Sequence, residues 1–366
     1  MGLNCEHAIL MDFDTGEILY RKKADDIVAP SSTTKIMTAY VIFSMLEEKL
    51  FSIDDKFKVS IRAWRQDGTR MFLEPEWKVS VDNLLMGAIV VSGNDAAITL
   101  AEGSSGTIAN FVKKMNETAK VLNLTNTHFE NPTGLYEKTH YVSVYDLAIL
   151  SRALIKDYGQ YYSRYFPQQL FTFNNITQKN RNTLLTEYDG ADGIKTGHTE
   201  QGKYSMVASV NKKGKRLIAV VARAETEKSR TEDVKTLMNH GFGQYRYLEL
   251  FKKGDVVGST NVFLSDKNRV RFYANKDIIY VTKKSEIDGI RVNLVYDKYI
   301  FRPVKKNDKI AQLVISDGNS VTKYDLYAEK SVRGIGSFKK FLNLFFYNFK
   351  RLILFFRSEN AEILEK

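Results

Sequence analysis

The chain has 366 residues, 43% of them hydrophobic, which is enough for a sizeable core and for more than one domain. A single cysteine, Cys5, excludes an internal disulfide framework and a cysteine-based metal site, and the five histidines form no HExxH or other close pair, so we expect no metal and no cofactor. The formal charge of +11 suits nucleic acid, an anionic membrane or an acidic substrate, so the position of the charge must decide among them.

The predicted elements begin with a hairpin and continue with helices. Residues 7–23 form two short apolar runs around an Asp-Thr-Gly turn, and helical periodicity dominates from about Leu46 to Leu154. After Asp192 three strands are predicted, "GIKTGHT", "YSMVASV" and "RLIAVVAR", and the helical "TEDVKTLMNHGF" closes this part. Strands on both sides of a helical block predict an antiparallel sheet flanked by helices, to which the chain returns.

The remainder of the chain shows two further patterns. From about Leu248 to Val332 short strands alternate with turn residues, which predicts a small all-β domain. In "SFKKFLNLFFYNFKRLILFFR" most Phe, Leu and Ile fall on one half of a helical wheel and the polar residues on the other. The cations of that polar half are Lys339, Lys340, Lys350, Arg351 and Arg357.

No apolar run of that segment exceeds five residues, which is far too short to span a bilayer. A basic face opposite a Phe-rich face is typical of a helix lying in the membrane interface, so we expect an anionic membrane surface, and no nucleic acid, as the partner of this charge. A helix docked on the protein's own core is the alternative.

The stretch "APSSTTKIMT" places two serines before a lysine. Ser31 and Ser32 precede Lys35 by four and three residues, so on a helix either hydroxyl could approach its amine. Pro30 favours a chain turn here and makes Ser31 a natural N-cap, which leaves Ser32 in the first turn facing Lys35. Taken alone, the stretch is better interpreted as a Ser/Thr-rich helix start with a solvated lysine than as a catalytic site.

Two further fragments change that balance. Ser92-Gly93-Asn94 interrupts an apolar helical run in which Gly and Asn are poor helix formers, and Lys195-Thr196-Gly197 lies on the first strand after the helices. Each triplet is common by chance. Together, in this order and about 60 and then about 100 residues apart, the three fragments resemble the SxxK, SxN and KTG set of the penicillin-binding proteins and serine β-lactamases.

The surrounding residues resemble the low-molecular-mass D-alanyl-D-alanine carboxypeptidases, which are peptidase S11-like enzymes. The resemblance extends over "APSSTTKIMT", "VVSGNDAA", "FENPTGL", "DGIKTGHT" and "RPVKKNDKIAQL", and thus over nearly the whole chain. It implies an α/β (α+β) β-lactamase/transpeptidase-like catalytic domain over residues 1–247, an all-β domain over 248–332 and an amphipathic membrane-anchoring helix and tail over 333–366.

The resemblance also implies a location. The enzyme would act at the periplasmic face of the bacterial cytoplasmic membrane, although the first residues, "MGLNCEHAILMDF", show no signal peptide.

The reaction implied by the resemblance is removal of the terminal D-Ala from peptidoglycan stem pentapeptides. Ser32 would attack, Lys35 would take its proton as a neutral base and Ser92 would relay protons. Asn94 would hold the substrate's peptide bond, and the backbone N–H groups of Ser32 and His198 would form an oxyanion hole. The groups implied for binding the substrate's carboxylate end are Lys195, Thr196, Gly197 and Thr199. β-Lactams would be trapped covalently at the same serine.

Some residues depart from the family pattern. Ser31 replaces the usual Ala, which keeps open which serine attacks. In "ARAETEKSR" the usual Gly-rich "GGRT" sequence is missing and Glu225 lies near where an Arg is expected. Arg223 and Arg230 are nearby cations, and the sequence leaves open whether either of them binds the substrate carboxylate.

Other functions fit the sequence less well. A class A β-lactamase needs a Glu that activates the deacylating water, and Glu117 has the wrong spacing for it. A P-loop requires Gly directly before the Lys, where this chain has Ile194. A non-catalytic wall-binding homologue is disfavoured because all three motifs are intact. A D,D-endopeptidase acting on cross-linked peptidoglycan is the closer alternative.

Overall fold

The computed structural model describes residues 1–333 apart from Leu264, Asp266, Arg302, Gly318 and Asn319. The chain divides into two compact units, Met1–Gly243 and Gln244–Lys366. The predicted amphipathic helix over 333–366 therefore lies, except for its first residue, outside the described residues.

The first unit is built on a five-stranded antiparallel sheet that joins the two ends of its sequence. The strand order is β2-β1-β11-β10-β9, so the N-terminal hairpin pairs with the last strands of the unit, as predicted. Its strands are β1 (His7–Asp12), β2 (Ile18–Lys22), β9 (Ala191–Thr199), β10 (Lys203–Lys212) and β11 (Lys215–Ala224). Between β2 and β9 lie three two-stranded ladders, formed by β3 (Ile27–Val28) with β6 (Val142–Ser143), β4 (Lys56–Lys58) with β5 (Lys78–Ser80), and β7 (Leu170–Phe173) with β8 (Ile176–Lys179).

Both faces of the central sheet are covered by helices. The helices of this unit are α1 (Lys35–Glu47), α2 (Ile61–Trp64), α3 (Val81–Met86), α4 (Asn94–Ser105), α5 (Ile108–Val121), α6 (Val144–Asp157), α7 (Gly159–Tyr165), α8 (Leu184–Glu187) and α9 (Glu227–Gln244). Ile9 and Met11 of β1 face the main helical core, whereas Leu10 between them packs against Gly241 of α9. Strand β1 is consequently buried along its whole length, as expected for a strand covered on both faces.

Helix α1 runs through the middle of the helical core. Nearly all of its residues are buried, including Lys35 at its start. A helix that is apolar on all sides belongs inside a protein, and this one carries its first residue away from the solvent-exposed surface. The fold thus places a lysine amine in a site where its charged form is costly.

The second unit is an all-β structure apart from a short 3-10 turn, Lys284–Gly289, within the part of it that the structure describes. One ladder joins β12 (Tyr245–Phe251) to β15 (Ile278–Lys283), and a six-stranded sheet has the order β16-β18-β19-β14-β13-β17. The strands of that sheet are β13 (Val256–Val262), β14 (Arg269–Tyr273), β16 (Arg291–Tyr296), β17 (Tyr299–Ile300), β18 (Lys309–Ser316) and β19 (Val321–Ala328). Since β16 and β17 are adjacent in sequence but lie at opposite edges, this sheet must curl strongly.

The described residues contain neither a membrane-spanning helix nor a metal-type cluster. No helix among them combines the length and the apolar character needed to cross a bilayer. Within the same residues, no cluster of three or more His, Cys, Asp or Glu side chains has the arrangement of a metal site.

Candidate active site

The serine-rich segment forms a 3-10 turn, Ser31–Thr34, that leads directly into α1. Ser31, Thr33 and Thr34 are buried, whereas Ser32 is partly exposed and lines a cleft. The predicted N-cap at Ser31 is wrong, because Pro30 is the cap residue and no side chain caps the turn. Ser31 has a left-handed φ of 52°, which is not the extended backbone of a capping serine, and its hydroxyl lies 2.9 Å from that of Thr199.

The amine of Lys35 has three oxygen neighbours. Its Nζ lies 3.1 Å from Ser32 Oγ, 2.7 Å from Asn94 Oδ1 and 2.8 Å from the backbone oxygen of Thr133. The amide and backbone oxygens can only accept hydrogen bonds, so in the neutral amine they take both N–H groups. The remaining lone pair then faces the hydroxyl of Ser32, which is the arrangement that a proton-accepting base requires.

The electrostatics of the site favour the neutral form of that amine. Burial lowers the pKa of Lys35 well below its ordinary value, and the charge of Lys195 lowers it further, against the opposing effect of Asp95. Burial also lowers the pKa of Lys195, to about 7, with smaller contributions from the cations Arg181 and Arg230. The charge of Lys195 thus acts on the pKa of Lys35 in the direction that the sequence predicts.

The second motif lies at a break between helices, as predicted. A π-helical turn, Gly87–Val91, ends at Ser92, which has a φ of 67°, and α4 begins at Asn94. Ser92 is buried and lines the cleft. Both ends of the Asn94 amide are engaged within the protein, because Oδ1 accepts from Lys35 and Nδ2 donates to the backbone oxygen of Asp67 at 2.6 Å. Asn94 therefore positions Lys35 here, and its contact with substrate stays a prediction.

The third motif lies on β9, at the edge of the central sheet. Thr196, Gly197 and His198 line the cleft beside Ser32. A Cβ atom on Gly197 would lie 3.1 Å from the backbone oxygen of Pro30 and 3.3 Å from Ser32 N, so only glycine lets this strand approach the nucleophile segment freely. Thr199 lies outside the lining of the cleft, and its hydroxyl accepts from the N–H of Gly202 at 2.9 Å.

Sequence reasoning missed the part that Thr133 and Gly134 play. Thr133 supplies the backbone oxygen that holds Lys35, and the side chain of Asn131 fixes this turn by accepting from the N–H groups of both residues. A Cβ atom on Gly134, whose φ is +85°, would lie 1.7 Å from the backbone oxygen of Ser31. The only sequence signal was the family-like "FENPTGL", to which no chemical role was assigned.

The cleft has a volume of about 470 Å³ and carries an excess of positive charge on one side. Arg181 and Arg230 line it, and Glu227 is the acidic residue of the lining. Arg223 and Glu225 do not line it: Arg223 pairs with Glu6 at 3.1 Å, and Glu225 pairs with Lys203 at 2.5 Å. Of the two arginines that the sequence left open, Arg230 is the one that reaches the cleft.

Comparison with known proteins agrees with this arrangement. A family model described as D-alanyl-D-alanine carboxypeptidase, peptidase S11, matches residues 2–226, and one for the C-terminal domain of penicillin-binding protein 5 matches residues 245–333. The chain belongs to the D-alanyl-D-alanine carboxypeptidase family. The predicted enzyme class is confirmed, and neither the endopeptidase nor the non-catalytic alternative is favoured.

Individual relatives extend over most of the chain. It is 35% identical over 336 residues to the D-alanyl-D-alanine carboxypeptidase DacF of Bacillus subtilis, covering 90% of this chain and 86% of the relative. Penicillin-binding protein 5 of Haemophilus influenzae matches structurally with a TM-score of 0.86 and 33% identity, over 91% of this chain and 98% of that one. Penicillin-binding protein D2 of Listeria monocytogenes, solved in its ampicillin-bound form, matches with a TM-score of 0.61 and 30% identity, over 66% and 98%.

Proposed function

We propose that this family member cleaves the D-Ala-D-Ala bond of peptidoglycan stem peptides through an acyl-enzyme on Ser32. The observation that carries this assignment is the position of Ser32, which is the residue of its turn that reaches the cleft and lies 3.1 Å from Lys35 Nζ. Lys35 takes the hydroxyl proton as Ser32 Oγ bonds to the carbonyl carbon. The C–N bond then breaks, D-Ala leaves with a proton on its amine, and water hydrolyses the ester.

Ser92 is the group we propose for moving that proton to the leaving amine. It lines the same cleft as Ser32, and it lies two residues before Asn94, which contacts Lys35. The backbone N–H groups of Ser32 and His198 serve as the oxyanion hole, since both residues line the cleft where the carbonyl oxygen gains charge.

The substrate's terminal carboxylate binds, in this proposal, on the cationic side of the cleft. The buried Arg230 and Thr196 both line the cleft, and the buried Lys195 precedes Thr196 on β9. A buried guanidinium with few partners is the group expected to bind a carboxylate most strongly, and Lys195 adds its charge while it is protonated. Thr199 contributes indirectly, by fixing the end of β9 through Ser31 and Gly202.

β-Lactams are proposed to acylate the same serine, and they provide the direct test. A labelled penicillin should modify Ser32, and Ser32→Ala should abolish the adduct while Ser31→Ala leaves it largely intact. Release of D-Ala from a peptide ending in D-Ala-D-Ala tests turnover. Labelling on Ser31, or folded protein that releases no D-Ala, would contradict the assignment.

We also propose that the enzyme works at the outer face of the cytoplasmic membrane. The support comes from the sequence of residues 333–366, whose cationic and Phe-rich halves suit an interface with anionic lipid. Removal of residues from Gly336 onward should release the protein from vesicles containing anionic lipid without changing its activity on a soluble peptide. Unchanged vesicle binding after truncation would contradict this proposal.

A further inference from the structure

The acidic residue in the lining of the cleft, Glu227, lies directly on the proposed carboxylate site. Glu227 begins α9 and Arg230 follows it by three residues, which is a neighbouring position on a helix. Glu227 Oε1 lies 2.9 Å from an Nη atom of Arg230. The Glu227 side chain is 57% exposed and that of Arg230 is 3% exposed, so the pair joins an exposed carboxylate to a buried guanidinium.

Arg230 has few other partners. Its Nε is buried and has no hydrogen-bond partner in the part of the chain that the structure describes, and the ring of Tyr204 lies 5.9 Å from the guanidinium carbon. The side chain of Glu227 is therefore its principal polar neighbour. A planar guanidinium can bind a carboxylate through two parallel N–H groups, and this one has donors available.

When two carboxylates compete for one guanidinium, each lowers the affinity of the site for the other. A substrate carboxylate bound at Arg230 would stand within a few ångströms of Glu227, and like charges at such distances repel even where solvent reduces the effect. Because Glu227 is more than half exposed, its side chain is able to swing into solvent without losing buried contacts. The Glu227–Arg230 ion pair is thus the contact that must open when substrate binds.

We propose that Glu227 sets the affinity of the enzyme for carboxylate-terminated ligands by serving as the resting counter-ion of Arg230, which the substrate carboxylate displaces. This inference rests on the proposed carboxylate site at Arg230. Its consequence is selective: weakly held anions, including the released amino acid, fail to displace Glu227, whereas a peptide that also contacts the rest of the cleft succeeds.

The test is Glu227→Gln, which keeps the length of the side chain and an oxygen for Arg230 but removes the charge. For a peptide ending in D-Ala-D-Ala we expect KM to fall about three- to tenfold with kcat changed less than about twofold, because the change affects ground-state binding. Inhibition by free D-alanine should strengthen by a similar factor. Inhibition by the same peptide with a C-terminal amide should not change.

The matched control is Glu225→Gln, which makes the same change of charge two residues away. Glu225 is exposed, pairs with Lys203 and does not line the cleft, so KM should stay as in the wild type. An equal fall of KM in both variants would show a long-range charge effect and overturn the inference. A rise of KM in Glu227→Gln would show instead that Glu227 holds Arg230 in its binding position, and would overturn it as well.

A double-mutant cycle separates this inference from the proposed site. If Arg230→Gln alone leaves KM unchanged, the proposed carboxylate site is wrong. If Arg230→Gln raises KM and Glu227→Gln then has no further effect in that background, the counter-ion role is supported.

Acylation by benzylpenicillin and by its methyl ester tests the same counter-ion role without turnover. Only the free acid should acylate Glu227→Gln faster than the wild type. An equal gain in rate for the ester would contradict the inference.

Discussion

The two walls of the cleft differ in how their polar groups are satisfied. On the nucleophile wall, Lys35 is held by Asn94 and Thr133, and these groups have their partners before any ligand is present. On the cationic wall, Arg181 and Arg230 line the cleft together with one acidic residue, Glu227, and the Nε of Arg230 is buried without a hydrogen-bond partner among the described residues. The nucleophile wall is therefore organised for chemistry before substrate binds. The cationic wall instead has an excess of positive charge and an Arg230 Nε that is unpartnered within the described part of the chain, which suit an anionic substrate.

The largest effect is expected on the nucleophile wall. Ser32→Ala should lower the rate of D-Ala release by at least about 10³-fold, because no other hydroxyl of the turn reaches the cleft. The measurement is single-turnover release of D-Ala, with Ser31→Ala as the control. Comparable loss in both variants would mean that the turn, and not the one hydroxyl, is what matters.

A smaller and selective effect is expected on the cationic wall. Arg230→Gln should lower kcat/KM about 10- to 100-fold for peptides with a free terminal carboxylate, since one charge-assisted contact is lost. A peptide with a C-terminal amide should lose far less. Equal losses for both peptides would indicate that Arg230 supports the fold and not the carboxylate, and a melting curve of the variant separates the two effects.

The pH dependence of acylation reports on Lys35. Its lowered pKa means that the neutral base is present well below the pH at which ordinary lysines lose their protons. The second-order rate of penicillin acylation should therefore fall about tenfold per pH unit on the acid side and reach a plateau before pH about 10. A rate that still rises through that pH would contradict a neutral Lys35.

The pH dependence of stability reports on Lys195. Because folding lowers its pKa to about 7, the unfolded chain binds more protons than the folded protein from that pH up to the ordinary lysine range. The free energy of unfolding should rise with pH in this window, by at most about 1.4 kcal/mol per pH unit from this one group. Urea titrations of wild type and Lys195→Met should differ in this slope, and parallel slopes would contradict the shift.

The smallest effect on activity is expected at Ser31, whose hydroxyl links the nucleophile turn to β9. Ser31→Ala removes the hydroxyl contact with Thr199, and we expect a loss of about 1 kcal/mol of stability with acylation changed only a few-fold. Thermal unfolding combined with penicillin labelling checks both parts. A loss of labelling as large as that of Ser32→Ala would assign Ser31 to the chemistry.

Much of this arrangement could be predicted from the sequence, because its signals are local. The hairpin of residues 7–23, the break at Ser92-Gly93-Asn94 and the three strands after Asp192 each follow from short-range pattern. Ser31 was misassigned because a capping rule considers only neighbours in sequence, whereas its hydroxyl contacts Thr199 on a distant strand. Thr133 was missed because it contacts Lys35 through its backbone oxygen, and every residue type has a backbone oxygen. The position of the Glu227–Arg230 pair could not be predicted, because the sequence does not show that the start of α9 lies at the cleft.

The pairing of the first strand with the eleventh has a consequence for the order in which the enzyme matures. His7 lies opposite Ala222, so the central sheet cannot close until almost the entire first unit has left the ribosome. The contacts that close it are among the most distant in sequence, and such contacts form slowly. Since Gly197 belongs to a strand of this sheet, its close approach to Ser32 is complete only then. A partly made chain therefore carries the serine motif complete in sequence but without the reactivity that would let an antibiotic trap it.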